Sequence, residues 1–241
     1  MNHGSVVAMI PARIGSERCK AKNLRLIANK PVLAYGIEGA IKANCYDKIV
    51  VNGDDPMFER IASSYGVEYH NREKSLSTSS ALSDDVVYSF LRYYKCDFVV
   101  WHNSIAAWQN PLDANSFVSK LKSSIADSLF TIQEVQLQTC YQDEPINFDT
   151  SNKFARTQDL TPIQIFVPFL MGWNAHRFIK AYDDRGHGFF LKSVAYHPVS
   201  LQSTYTIKTD HDFRLIRSLI DSKSSYNDDI HYYDGSGLTN Q

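Results

Sequence analysis

VVAMIPARIGSERCKAKNLRLIANKPVLAYGIEGAIKA, at residues 6–43, is the stretch that decides the fold. Its first five residues are apolar and end at Pro11, which predicts a short buried strand. From Pro31 to Ala43 the apolar residues recur at helical spacing, and proline is favoured in the first turn of a helix. A strand that leads through a loop into a helix is the beginning of a β–α–β unit.

The same alternation continues through the first half of the chain. Strand patterns occur at residues 48–51, 67–69, 97–101 and 128–132, and helical patterns at 57–65, 83–94 and 113–123. Ser83 is a suitable N-cap for the second of these helices. Strands separated by helices predict an α/β fold with right-handed crossovers, that is, a doubly wound, mostly parallel sheet. Ligands bind such sheets beyond the carboxyl ends of the strands, so the loop at 11–23 is the first candidate site.

The pattern changes near residue 135. Polar and apolar residues alternate after Val135, and β-like stretches follow at 163–171 and 189–197. This alternation predicts antiparallel strands that the parallel sheet does not need, so we expect a small inserted dimerisation element at about 135–200. The chain is then expected to return to the sheet at 205–207.

A final helix is predicted from Asp210 to about Ser222. Thr209 is expected to be its N-cap, and Asp212 is expected to complete a capping box. We therefore predict one domain over residues 1–225, followed by a polar tail over 226–241.

The composition excludes several classes of protein. The chain has 241 residues, 44% of them hydrophobic and 12% aromatic, which excludes a disordered chain. Its 25 Lys and Arg residues nearly balance 26 Asp and Glu residues, so a general nucleic-acid binder is not expected. The longest apolar stretch, at 166–173, is too short to cross a membrane. No signal-peptide profile and no C-x-x-C pair is present, so a cytoplasmic protein is expected.

The loop after the first strand is strongly basic. It carries Arg13, Arg18, Lys20, Lys22 and Arg25 against a single acid, Glu17. Gly15 and Ser16 permit a tight turn with exposed backbone N–H groups, which can hold a polyphosphate together with arginine side chains. On the residues alone, a phosphate site and a solvated basic loop are equally supported, because the loop is neither a P-loop nor a G-x-G-x-x-G motif.

This loop resembles the opening of the acylneuraminate cytidylyltransferases, the CMP-sialic acid synthetase family, and the chain is identified as a divergent member. The family has a Pro-Ala-Arg-x-Gly-Ser-x-Arg loop, then Lys-Asn, then Lys-Pro before its first helix. The residues in register are Arg13, Gly15, Ser16, Arg18, Lys22, Asn23, Lys30 and Pro31. Further similarity lies at 48–55, 65–67 and 72–87, and in the Arg-x-Gln-Asp-Leu element at 156–160.

The resemblance implies that the sheet is of nucleotidyltransferase type, and that the protein transfers CMP from CTP to a sialic-acid-like α-keto sugar acid and releases pyrophosphate. Arg13 and Lys22 are then the catalytic residues. The implied nucleotide-binding residues are Arg13, Gly15, Ser16, Arg18, Asn23, Asn52, Asp54 and Arg72. The implied sugar-binding residues are His102, Arg156, Gln158 and Asp159. The resemblance also implies a homodimer whose sugar site lies at the subunit interface.

Two departures from the family bear on the chemistry. His102 replaces a glutamine that approaches the sugar, and it either donates a hydrogen bond there or has drifted in an unused pocket. Thr206 and Lys208 stand where the family has two aspartates that hold a divalent cation. Asp210 and Asp212 are the nearest substitutes, but acids in the first turn of a helix also complement its dipole.

These departures leave alternatives open. Mg²⁺ is expected as a cofactor, held either by Asp210 and Asp212 or only together with bound CTP. The alternative to the implied reaction is a degenerate member that binds nucleotide or sugar without turnover, or a cytidylyltransferase with a different acid acceptor.

Overall fold

The computed structural model describes residues 4–222 as a seven-stranded sheet with helices on both faces. The strands are β1 (Val6–Ala12), β2 (Leu26–Ile27), β3 (Lys30–Pro31), β4 (Lys48–Gly53), β5 (Glu68–Asn71), β6 (Phe98–His102), β7 (Ser128–Val135), β8 (Cys140–Tyr141), β9 (Glu144–Pro145), β10 (Ile163–Asn174) and β11 (Val194–Pro198). The helices are α1 (Val32–Ala43), α2 (Pro56–Ser64), α3 (Ser83–Tyr93), α4 (Pro111–Ser123), α5 (Ala175–Arg185), α6 (Leu201–Thr204) and α7 (Asp210–Ser222). The predicted tail at 226–241 lies outside the described residues.

The sheet is mostly parallel, as the sequence predicts. Its strand order is β11-β7-β10-β6-β1-β4-β5, and only β10 runs antiparallel to its neighbours. The chain passes from β1 outward through β4 to β5 and then returns to β6 on the other side of β1. The carboxyl ends of β1 and β6 therefore form a topological switch point, where open α/β sheets bind their ligands.

Helices cover both faces of the sheet. Successive side chains of a strand point to opposite faces, so each strand packs against helices on both sides. Val7 and Met9 of β1 pack with apolar residues of α3 and α5 on one face. Ile10 and Ala12 pack against α1 and α2 on the other, and Val6 packs against α4. None of the helices between residues 4 and 222 is long and apolar enough to cross a bilayer.

Part of the element predicted at about 135–200 belongs to the main sheet. Strands β10 and β11 pair with β7, and α5 lies between them in the chain. The remaining stretch, between Val135 and Ile163, leaves the sheet. It contains the small β8–β9 hairpin and a 3-10 turn at Thr157–Asp159. Its role in dimerisation stays a prediction.

Two local predictions are wrong. Residues 205–207 form no strand; Ile207 is buried instead among Cys19, Val32 and Phe213, where it fills a gap between the first loop and α7. Ser83 is the first residue of α3 rather than its N-cap, because the extended residue before the helix is Leu82.

The capping box of α7 is present. The Oγ1 atom of Thr209 accepts a hydrogen bond from the backbone N–H of Asp212 at 3.3 Å. The Asp212 carboxylate accepts the backbone N–H of Thr209 at 2.7 Å in return.

Candidate functional site

A cavity of about 300 Å³ opens at the switch point, beyond the carboxyl ends of β1 and β6. Its walls come from the first loop, the turn before α3, the end of β6 and the segment before α7. The predicted site residues that line it are Arg13, Ser16, Arg18, Lys22, Asn23 and Arg72. The first loop is therefore the centre of the candidate site.

Hydrogen bonds hold the first loop in shape. The backbone N–H of Ser16 donates to the carbonyl of Ile14 at 2.8 Å and closes a tight turn. The N–H of Ile14 donates to the Asp54 carboxylate at 3.0 Å, and Arg13 donates from Nη1 to the carbonyl of Thr78 at 2.8 Å. Gly15 lies in the turn but does not line the cavity.

The cavity is strongly cationic although the chain as a whole is nearly neutral. Its lining carries five cationic side chains and one carboxylate, Glu17. The five are Arg13, Arg18, Lys22, Arg72 and Lys208. Burial, and then the neighbouring charges of Arg13 and Arg18, lower the pKa of Lys22. Cations crowded in this way are suited to a polyanionic ligand, because its charge relieves their repulsion.

Arg72 is the most constrained of these cations. It is only 6% exposed and donates to the carbonyl of Ala12 at 3.2 Å and to the side chain of Asn52 at 3.4 Å. Burial lowers the pKa of Arg72 to about 10. Asn52 and Asp54 do not line the cavity; Asn52 fixes Arg72 from behind, and Asp54 holds the first loop.

Asn23 connects the loop to the turn that follows β6. Its Oδ1 atom accepts a hydrogen bond from Ser104 at 3.0 Å, and its Nδ2 atom donates to the carbonyl of Arg13 at 3.4 Å. Ser104 in turn lies against Gly36 of α1, where a Cβ atom would come within 2.7 Å of the Ser104 Cα. The close approach of α1 therefore depends on glycine at this position.

The predicted sugar contact through His102 is wrong. His102 is fully buried, with its ring nitrogens 3.0 Å from the Tyr46 hydroxyl and 2.6 Å from Gln109 Oε1. Burial lowers the pKa of His102 to about 4, so the ring is neutral near pH 7. Side chains alternate along β6, which turns His102 away from the cavity and directs its neighbours, Trp101 and Asn103, into the lining.

Trp101 and Asn103 are site residues that the sequence analysis missed. The Trp101 indole Nε1–H is buried and is without a hydrogen-bond partner in the part of the chain that the structure describes. A buried donor without an acceptor costs about 1–3 kcal/mol, which makes this indole the costliest unpaired group of the cavity wall. Strand alternation counted back from Asn103 is the signal that could have found both.

The predicted sugar residues after β9 lie apart from the cavity lining. Arg156 and Asp159 form an exposed ion pair, with Nε to Oδ2 at 2.8 Å, around the 3-10 turn that contains Gln158. None of the three residues lines the cavity. Their contact with a sugar stays a prediction.

The residues present do not fit a protein-held Mg²⁺. The Asp210 carboxylate pairs with Arg25 at 2.7 Å, and the Asp212 carboxylate accepts the N–H groups of Lys208 and Thr209. Burial opposes ionisation of Asp212, but these hydrogen bonds outweigh it and lower its pKa. Across residues 4–222, no three His, Cys, Asp or Glu side chains are grouped to hold a metal ion.

The basic cavity at the switch point of a mostly parallel sheet defines an α/β protein of nucleotidyltransferase type. The sequence model of the cytidylyltransferase family matches residues 7–177, and the chain belongs to this family.

Relatives show how far the similarity extends. The chain is 27% identical over 202 residues to a pseudaminic acid cytidylyltransferase of Campylobacter jejuni, covering 79% of each chain. It is 36% identical over 89 residues to the N-acylneuraminate cytidylyltransferase of Escherichia coli O18:K1:H7, which is 37% of this chain and 21% of that protein. The chain therefore spans only part of the length of that relative.

A solved structure supports the fold. A CMP:2-keto-3-deoxy-manno-octonic acid synthetase complexed with CTP superposes with a TM-score of 0.68. The superposition covers 91% of this chain and 99% of that one, at 15% sequence identity.

Proposed function

We propose that this chain transfers CMP from CTP to a sialic-acid-like α-keto sugar acid and releases pyrophosphate. The observation that supports it most is the group of five cations in the cavity beyond β1 and β6. Relatives named for N-acylneuraminate and pseudaminic acid support the acceptor class.

The proposed chemistry needs positioning and charge neutralisation rather than a covalent intermediate. A hydroxyl oxygen of the sugar acid bonds to the α-phosphorus of CTP, and the bond from that phosphorus to the bridging oxygen breaks as pyrophosphate leaves. The hydroxyl proton is released to water. Arg13, Arg18 and Lys22 bind the triphosphate and stabilise the leaving charge. Arg72 and Trp101 line the cavity that the nucleotide would occupy.

The nucleotide part of the proposal is tested with a double substitution, Arg13→Ala with Arg18→Ala. Removing one fixed donor to a developing charge lowers turnover by about 10²–10³. The assay follows pyrophosphate release from α-labelled CTP with sialic, legionaminic, pseudaminic and octulosonic acids. Lys20→Ala is the matched control, because Lys20 is a cation of the same loop that does not line the cavity. Full activity and CTP affinity in the double variant would contradict the assignment.

A second candidate is a family member that binds nucleotide or sugar without turnover. The observation that favours it is that, among the described residues, no three His, Cys, Asp or Glu side chains are grouped to hold a metal ion. Tight CTP binding without pyrophosphate release for any of the four acids would favour this candidate over transfer.

We further propose a homodimer in which Arg156, Gln158 and Asp159 reach the cavity of the second subunit. The segment around them carries large exposed apolar side chains, among them Phe154 at 82% and Tyr141 at 66% exposure. Large exposed apolar side chains in one segment favour an interface between chains.

Sedimentation equilibrium at micromolar concentration tests the dimer. A species of twice 27.4 kDa is expected, and Phe154→Asp should shift it to the monomer. Leu112→Asp is the control, since Leu112 is 74% exposed on α4. A monomeric wild type would contradict a shared sugar site.

We also propose a reducing, cytoplasmic location. All four cysteines, including the exposed Cys140, are free thiols.

A further inference from the structure

We infer that the cavity binds the polyphosphate of the nucleotide without a protein-held divalent cation, and that the Lys208 ammonium supplies positive charge in place of that ion. The inference rests on the proposed function, because it assumes that a nucleoside triphosphate occupies the cavity.

The position of Lys208 is fixed by its neighbours on both sides. The backbone N–H of Ile207 donates to the carbonyl of Ile105 at 2.9 Å, and that of Lys208 donates to Asp212 at 2.9 Å. The Lys22 ammonium donates to the carbonyl of Ile207 at 3.1 Å, which ties the first loop to this segment. Lys208 is thus held in the cavity wall, next to the residue that Lys22 of the first loop contacts.

The acidic residues nearest to Lys208 already have ion-pair or hydrogen-bond partners. Asp210 pairs with Arg25, and Asp212 accepts three hydrogen bonds at the start of α7. The one carboxylate in the lining, Glu17, is outnumbered by five cations. A hard cation such as Mg²⁺ requires several oxygen ligands, and an ammonium group beside it repels it.

The charge balance suits the free nucleotide better than its magnesium complex. A fully ionised nucleoside triphosphate carries about four negative charges, and bound Mg²⁺ would remove about half of them. Five cations and one carboxylate line the cavity, and burial, followed by the charges of Arg13 and Arg18, lowers the pKa of Lys22. The metal-free polyanion therefore relieves more repulsion than the complex does.

Calorimetric titration with CTP, once in excess EDTA and once in Mg²⁺, tests the inference without any variant. We expect CTP to bind in EDTA, and Mg²⁺ to leave the affinity unchanged or lower it. Binding that appears only with Mg²⁺ would overturn the inference and still support a nucleotide site. No CTP binding under either condition would overturn the proposed function as well.

Two substitutions at Lys208 sharpen the test. Lys208→Ala should weaken CTP binding in EDTA by about tenfold or more, and Mg²⁺ should not restore it. Lys208→Asp combined with Thr206→Asp should weaken binding in EDTA further and make it dependent on Mg²⁺. Lys20→Ala, outside the lining, should bind as the wild type does. Unchanged binding in Lys208→Ala would overturn the role of Lys208.

A direct metal titration gives a separate readout. We expect the wild type to bind Mg²⁺ only weakly in the absence of nucleotide. Tight, nucleotide-independent binding that is lost in Asp210→Asn would overturn the inference and assign the metal to the start of α7.

Discussion

The indole N–H of Trp101 has no hydrogen-bond partner among the described residues. We predict that replacing Trp101 changes the free energy of unfolding and the affinity for ligand by different amounts. Trp101→Phe removes the buried Nε1–H and keeps most of the ring. In the free protein, the relief of an unsatisfied donor, about 1–3 kcal/mol, offsets the loss of packing from a smaller ring. The free energy of unfolding should therefore change by less than about 1 kcal/mol.

Ligand affinity should respond more strongly. If the indole donates to a bound ligand, its loss leaves the ligand oxygen unpaired and weakens binding by about 1–2 kcal/mol, which is about 5–30-fold. Urea unfolding and calorimetry with CTP and with the sugar acid measure the two effects separately.

Trp173→Phe is the matched control. Trp173 is fully buried and its Nε1–H donates to the carbonyl of Phe189 at 2.7 Å, away from the cavity. This substitution should lower stability by at least about 2 kcal/mol and leave ligand affinity unchanged. If Trp101→Phe behaved like Trp173→Phe, with lower stability and unchanged affinity for both ligands, the indole would be a packing group and the reasoning would be refuted.

Two further predictions concern the support of the site. His102 has a folded pKa of about 4 against 6.5 for the ordinary residue, so the unfolded chain binds the extra proton first as the pH falls. The free energy of unfolding should decrease by about 3 kcal/mol between pH 6.5 and pH 4. Urea unfolding should show a weaker pH dependence in His102→Gln. An equal pH dependence in both proteins would contradict the buried neutral ring. Gly36→Ala gains about 1 kcal/mol of helix propensity but places a Cβ atom 2.7 Å from the Ser104 backbone, so it should destabilise the protein by about 1–2 kcal/mol and weaken CTP binding. Gly15→Ala, whose Cβ would come no nearer than 4.0 Å to its neighbours, should leave stability within about 0.5 kcal/mol, and equal effects at the two glycines would contradict the clash.

Local patterns predicted the helices and strands of the first half well, because the periodicity typical of a strand or a helix involves residues that are close in the sequence. The helix expected from Pro31 to Ala43 is α1, and the strand expected at 48–51 lies within β4. The basic loop was also found in this way, since its charge contrasts with a nearly neutral chain.

Features that depend on distant contacts could not be predicted from local patterns. Ile207 is apolar and buried as expected, yet its partners are in the first loop and α7 rather than in a strand. The role of His102 was assigned from its place in a motif, whereas the alternation of β6 decides which side chains face the cavity. The contribution of Asn52 through Arg72 became visible only from the fold, because Asn52 is on β4 and Arg72 follows β5, the next strand of the sheet.

The hydrogen bond from Lys22 to Ile207 joins residues 185 positions apart and has a consequence for biosynthesis. During translation the first loop leaves the ribosome early, but one wall of the cavity is made last, from the segment before α7. A nascent chain that ends before this segment lacks Lys208 and the carbonyl that holds Lys22. If nucleotide binds only the completed cavity, its binding favours docking of the segment before α7 by mass action. Nucleotide in the cell would then help the last part of the fold to form.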